Sequence, residues 1–421
     1  MAKIELQCGQ RVFSVEIQDG FLGEIVAPPR VGAVANPAGA VLASLANPIG
    51  SVRLARMVQQ KQKVAVIVDD ITRETPTRIM LPAVLEELAV AGVENKDIAI
   101  VIALGTHRPM TPDEIERKIG SATAAEYRIV NVSAGEVGEM IYMGTSSLGI
   151  PAFVNRVVAE ADIRIGIGMI APHLDAGYGG GGKIILPGVC GEQTVAAFHA
   201  QMAGIHTNQL GLEEAVLRLD LEKFVGECVK LDFIVNVILD SNGALYRCVA
   251  GDFVSAHRIG VRFAREVHGV TVKRRYPLVV VNAHPLWIDL WQTTKALAAG
   301  ELMTEAGGML ILVADCPEGY GAHPHFAEYI GMDLDRLLRH LSEEAIEDRA
   351  AAAEAVAVCR MKQQIEIGLV SSGFSASEVQ RMGFSYHSTV EAAIQYGLKR
   401  TAEKKIGLIT HGGTTIPLLP Q

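Results

Sequence analysis

Residues 163–199 read IRIGIGMIAPHLDAGYGGGGKIILPGVCGEQTVAAFH, and the rest of the chain is organised around them. The stretch opens with a short apolar run, Ile163 to Ile167, that reads as a buried strand. A Pro172-His173 pair follows. Five glycines then fall within six residues, at Gly177 and Gly179 to Gly182, directly before Lys183, and His199 closes the stretch. Glycine lets a backbone come close to a ligand and take positive φ. Glycines set against a lysine therefore predict a site where a phosphate or nucleotide meets an amine. The plain alternative is a glycine turn with a solvated lysine. Gly177-x-x-x-x-Gly182-Lys183 matches most of a phosphate loop, but Ile184 stands where the magnesium-binding hydroxyl belongs. Such a loop also follows its strand at once, whereas nine residues separate Ile167 from Gly177. These two departures argue against an NTPase.

Composition sets wider bounds. A chain of 421 residues, 49% hydrophobic, with 42 glycines and 5% aromatics has the balance of an α/β protein long enough for two domains. A net charge of -9 argues against a general nucleic-acid or anionic-membrane role. The six cysteines contain no CxxC pair, which fits reduced thiols better than disulfides or a zinc site. MAKIELQCGQ has no secretory apolar core, and no run approaches a membrane span. The expected location is the cytoplasm.

Outward from the central stretch, Val64 to Val68 and Asp97 to Leu104 read as further buried strands, with Ile129 to Val132 beside them. The first delivers Asp69-Asp70-Ile71-Thr72-Arg73, and the second Gly105-Thr106-His107-Arg108-Pro109. Polar loops at the carboxyl ends of such strands are where α/β folds bind ligands. Asp70 suits ribose hydroxyls, and the planar guanidinium of Arg73 suits a carboxylate or phosphate; an ordinary loop ion pair is the bland alternative. Thr111-Pro112-Asp113-Glu114 predicts a capping box. Glu192 to Met202 reads as a helix, with His199 and His206 two turns apart and able to face one site. Ile4 to Cys8 and Val12 to Ile17 predict a hairpin around Gly9-Gln10. Asp240-Ser241-Asn242-Gly243 predicts a second one.

Lys273-Arg274-Arg275 marks the expected boundary. The fold class predicted is α/β, with two domains, each a mostly parallel sheet flanked by helices, and the active site in the cleft between them. The expected division is 1–272 for the first domain, 273–405 for a smaller second one, and 406–421 for a terminal strand and tail returning to the first. Strands at Leu278 to Val281, Met309 to Val313, Ile365 to Val370 and Ile406 to Thr410 would build the second sheet. A helix there carries Gln292 and Lys295 three apart on one face, placed to close over the loops of the first domain.

The ordered set Asp70-x-Thr72-Arg73-x-x-Pro76, Gly105-Thr106-His107-Arg108-Pro109, Pro172-His173 with the glycine-lysine run, Leu186-Pro187-Gly188, His199, and Gln292 with Lys295 resembles the nickel-dependent lactate racemase family of α-hydroxy-acid racemases and epimerases. The resemblance implies a nickel-pincer nucleotide tethered through a thioamide at Lys183, with His199 as the protein ligand to nickel. It implies paired catalytic histidines, His107 and His173. Asp70, Thr72 and Gly105 would lie on the cofactor side, and Arg73, Gln292 and Lys295 would line the substrate pocket. The implied partners are a small α-hydroxy acid and, transiently, the cofactor's biosynthetic proteins, with no nucleic acid or membrane. The implied reaction is C2 inversion by reversible hydride transfer, with one histidine on each face.

This sequence departs from the family pattern in two places. Gly179 to Gly182 replaces a run carrying serine and proline, and is expected to be more flexible. Asp175 stands where the lactate enzyme resembles an aromatic position, which points to a hydroxylated, sugar-acid-like substrate. Two other classes compete, a non-catalytic nucleotide- or nickel-binding protein and a dehydrogenase using free nicotinamide. The first has no need of two bases, and the second lacks a G-x-G-x-x-G turn between strand and helix.

Overall fold

A computed structural model describes residues 2–9, 11–321, 323–343 and 346–420. Two six-stranded sheets form its frame. The first runs in the order Leu245–Gly251, Phe233–Leu239, Ile163–Met169, Val64–Asp69, Ile98–Ala103 and Arg128–Val130, parallel throughout except at the Leu245–Gly251 edge. Its central strands lack polar alternation because both faces are covered. Val64, Val66 and Val68 pack toward helices Pro37–Ala46 and Thr77–Val90. Ala65 and Ile67 pack toward Glu192–Ala200 and Val216–Phe224. The Asp240–Gly243 turn joins the antiparallel edge pair, with Gly243 at φ +77.

The second sheet is parallel throughout, in the order Ser385–Tyr386, Glu366–Val370, Thr304–Val313, Tyr276–Asn282, Ile406–Ile409 and Leu22–Val26. Here the strand pairing departs from the expected division at both ends of the chain. Leu22–Val26 pairs with Ile406–Ile409, so the N-terminal segment joins the second sheet. The hairpin Ala2–Cys8 and Arg11–Ile17 follows it, burying Ile4, Leu6, Val15 and Ile17 against Leu278, Val280 and Ile311. Its turn at Gly9-Gln10 lies partly outside the described residues, since Gln10 is not among them. The alternating pattern dictated that the hairpin bury one face, but not which sheet would cover it. Ile406–Ile409 is an interior strand, and only the tail Ile416–Leu418 runs back, beside Gly269–Thr271.

Side chains tie the halves together. Asn208 Nδ2 donates to Ala298 O at 2.8 Å and to Glu301 Oε2 at 2.7 Å. Arg360 Nη2 donates to Ala203 O at 2.6 Å, and its Nη1 to Ile205 O. Helix Arg349–Gln364 packs against Glu192–Ala200 across the same seam. No helix among the described residues is long and apolar enough to cross a membrane.

Candidate active site

Two neighbouring parallel strands, Val64–Asp69 and Ile98–Ala103, deliver the first cluster at their carboxyl ends. Asp70 Oδ2 lies 2.6 Å from His107 Nδ1. Asp70 Oδ1 accepts from the Thr72 hydroxyl at 2.6 Å and the Thr72 amide at 3.2 Å. Burial pushes the Asp70 carboxyl up, but His107, Thr72 and Arg73 outweigh it and hold the group below its ordinary range. The carboxylate fixes which His107 nitrogen faces outward: Nδ1 is engaged, and Nε2 is left for a ligand. Asp70, expected to face ribose, therefore first orients a histidine. Gly105 takes φ +56 to make the turn before His107, and its amide donates to Gly188 O at 2.9 Å.

The two nearby arginines differ. Arg108 is tied to Glu114 at 2.6 and 2.8 Å, beside the capping box that Thr111 and Glu114 form. Arg73 makes no ion pair among the described residues, and its Nη1 donates only to Thr72 Oγ1 at 3.2 Å. Buried Lys118 holds this loop from below. Its Nζ sits 2.7 Å from Asp69 Oδ1 and donates to Arg73 O at 2.8 Å. Lys118 was not singled out in the sequence, where its charge reads as ordinary helix surface.

The glycine run is packed and hydrogen-bonded, contrary to the flexibility expected of it. Pro172–His173 pairs with Gly177–Tyr178 as a short antiparallel ladder. Gly177 sits at φ +69, where a Cβ would fall 1.8 Å from Leu212 O. Fully buried Arg218 donates to Gly180 O at 3.1 Å and to Tyr178 O. His257 Nε2 contacts Gly179 O at 2.9 Å, and Asn236 Oδ1 accepts from the Gly181 amide at 2.8 Å. The glycines make room for these partners. A Cβ on Gly180, at φ +72, would meet Ile170 Cγ1 at 2.7 Å and Asn236 Oδ1 at 2.8 Å.

This cradle presents Lys183 to His173, with Nζ 3.1 Å from Nε2. His173 Nδ1 accepts from the Asp175 amide at 3.2 Å, so a neutral ring carries its proton on Nε2. Nε2–H can then donate only to an uncharged Lys183 amine. The electrostatics agree: burial brings Lys183 down to about 7, with Asp175 opposing and Arg218, Arg73 and Lys295 reinforcing. Burial also lowers His173 well below its usual value, helped by the charges of Lys183, Lys295 and Arg73. Lys183 is thus brought close to losing its proton at neutral pH, and His173 is held as a neutral imidazole.

Helix Leu290–Met303, capped by Asp289, brings the second half's contribution. Lys295 Nζ donates to Gln292 Oε1 at 3.3 Å. Burial lowers Lys295 to about 8, and Arg73 pushes the same way. Asp175 is buried, with Oδ2 3.8 Å from His173 Nδ1 and Oδ1 unpartnered. Glu354 faces the same groups, although nothing singled it out in the sequence. It is the one acid among the otherwise apolar residues 350–358, a pattern that could have flagged it.

His199 lies in the last turn of Glu192–Ala200, and its Nδ1 is buried without a hydrogen-bond partner. Burial and the Lys183 charge lower it to about 4, so the ring is neutral with a lone pair available. His206 does not share its face. The helix ends at Ala200, and His206 is exposed beyond the following turn. His323, bonded to Asp348 at 2.7 Å and packed at a tilt of 33° against Trp291 with ring centroids 4.0 Å apart, forms a further pair that carries no local sequence signal. No cluster of three His, Cys, Asp or Glu suited to a metal occurs among the described residues. A metal at His199 would therefore draw its other ligands from a bound group, and a single orphaned imidazole nitrogen fits that arrangement.

Comparison with known proteins shows the family. The lactate racemase N-terminal domain matches residues 8–211, and the lactate racemase C-terminal domain matches 276–416. The chain is 30% identical over 326 residues to the lactate racemase of Thermoanaerobacterium thermosaccharolyticum, covering 76% of each protein. It is 29% identical over 340 residues to that of Lactiplantibacillus plantarum, covering 79% of each. Among solved structures, the Thermoanaerobacterium lactate racemase apoprotein superposes with a TM-score of 0.88 at 25% identity over the full length of both chains. A Thermotoga maritima protein shares the fold at a TM-score of 0.65 and 18% identity, covering 87% of this chain and 96% of its own. The chain belongs to the lactate racemase family and is an isomerase of the racemase kind.

Proposed function

We propose that this protein inverts C2 of an α-hydroxy acid bound between its two halves, with a nickel-pincer nucleotide joined to Lys183 and its nickel held by His199. The observation that carries this reading is that a carboxylate-backed imidazole, His107, and a buried imidazole, His173, both lie within reach of the Arg73 charge, with Lys183 Nζ 3.1 Å from His173 and brought down to about 7. The bound group would supply reversible acceptance of the C2 hydride, so that the substrate passes through its 2-keto acid.

The protein's own residues then have separable tasks. Arg73, unpaired and adjacent to the dyad, would hold the substrate carboxylate, with Gln292 and Lys295 closing from the second half. Fixing one end leaves a planar keto acid free to pivot and present its other face. His107 Nε2 would take or return the hydroxyl proton on one face, with Asp70 compensating the charge. His173 would serve the other face. Converting Lys183 to an amide-type nitrogen removes the lone pair that accepts from His173, which frees that ring for the substrate oxygen. Asp175 Oδ2, 3.8 Å from Nδ1, would supply a nearby negative charge to a His173 ring that takes up the substrate proton. Asp175 also favours a substrate with additional hydroxyls over one ending in a methyl group.

The test is intact mass and nickel content of protein produced alongside the cofactor's biosynthetic proteins, followed by an inversion assay on a 2-hydroxy-acid panel. A nucleotide-sized adduct at Lys183, nickel near one per chain and C2 inversion are expected. An unmodified mass, with a known lactate racemase modified in parallel, would overturn the reading.

A further inference from the structure

One cavity lies directly behind the catalytic cluster. It has a volume of about 60 Å³ and draws its walls from both halves, with Asp175 and Asn208 on one side and Thr294, Glu301 and Glu354 on the other. A single water needs roughly 10–15 Å³ in this measure, so the space admits about four oxygen-sized groups. Asp175 is 7% exposed and Glu354 6%. Asp175 Oδ1 and Glu354 Oε1 are both buried without a hydrogen-bond partner. Buried oxygens left unpaired are uncommon in folded proteins, and two on one cavity call for a ligand that satisfies both. The cavity is continuous with the chemistry through Asp175, whose other oxygen approaches His173.

We propose that this cavity is the subsite for the hydroxyl-bearing tail of the substrate, and that Glu354 is the residue selecting a polyhydroxylated 2-hydroxy acid over lactate-sized and dicarboxylic ones. The inference rests on the racemase reading above. Burial and the Asp175 charge raise Glu354 to about 8, against Thr294, Lys295 and Lys183. Burial raises Asp175 as well. The pair therefore holds a proton at neutral pH and offers both a donor and acceptors. A hydroxyl uses one of each. A methyl group would leave both oxygens unpaired, and a second carboxylate would meet the acids Asp175 and Glu301. A site built to hydrogen-bond a hydroxyl rejects the analogue lacking it far more strongly than an apolar pocket rejects an added one.

The experiment compares cofactor-loaded wild type, Glu354→Met and Glu354→Gln on lactate, malate and the four-carbon sugar acid erythronate, whose tail matches the cavity in size, with loading checked by mass in each. Methionine has similar length and suits the apolar neighbours Val358 and Met361, and Glu354→Gln serves as the isosteric control for any loss of folding in E354M. Wild type should favour erythronate over lactate by at least about 100-fold in kcat/KM. E354M should lose most of that ratio, and E354Q, which keeps a donor and an acceptor, should retain it. A wild-type preference for lactate or malate, or an unchanged ratio in E354M, would overturn the subsite. Inversion of none of the three acids by fully loaded protein would instead sink the racemase reading, and the subsite with it.

Discussion

His107 and His173, paired in the proposed reaction, sit in contrasting regions. His107 is backed by a carboxylate that is hydrogen-bonded on both oxygens, and its ring is partly open. His173 is backed by an amide N–H and faces cations, with Lys183, Lys295 and Arg73 all acting against its protonation. One ring rests against a carboxylate, and the other lies in surroundings that resist its protonation. Inversion needs one ring as base and the other as acid, with the roles exchanged in the reverse direction, so each ring must change its protonation state during turnover. The contrast also shows that similar side chains acquire different states from what lies behind them.

Changes to the two rings should break this comparison with the largest effect. His107→Ala and His173→Ala should each lower kcat for inversion by roughly 10²–10⁴. Asp70→Asn should approach the His107 loss in steady-state assays, since it removes the group that fixes the ring. Next in size is the Lys183 titration. In the apo protein, acylation of Lys183 by an amine-selective reagent should rise with pH around a midpoint near 7, against about 10.4 for an ordinary lysine. Asp175→Asn should move that midpoint lower, because Asp175 stabilises the ammonium form; peptide mapping across pH reads both.

The cradle is a smaller test. Arg218→Met leaves buried carbonyls at Tyr178 and Gly180 without their donor, and should cost about 3 kcal/mol in urea unfolding. The smallest effect sharpens the comparison by lying outside it. Thr111→Ala removes an N-cap and should cost about 1 kcal/mol, with turnover unaffected.

Much of this was legible in the sequence wherever local pattern decides. Val64 to Val68 announces a strand covered on both faces, Thr111 to Glu114 a capping box, and Asp240 to Gly243 a hairpin. The ordered motifs single out His107, His173, Lys183 and His199 from sequence alone. What stayed hidden depends on distant partners. Val26 O meets the Thr410 hydroxyl across 384 residues, a pairing that no local pattern encodes. The glycine run reads as floppy until Arg218, His257 and Asn236 arrive from other elements. Glu354 reads as a helix acid until Asp175 and Lys295 are packed against it.

The central claim is that His107 and His173 move the hydroxyl proton and leave the C2–H bond to the bound group. Inversion run in D₂O with the loaded enzyme tests it most directly, by mass spectrometry and NMR of the product. Retention of the original hydrogen at C2 in both epimers is the predicted result. Deuterium appearing at C2 as inversion proceeds would mean that a histidine removes that hydrogen as a proton, and would contradict the account.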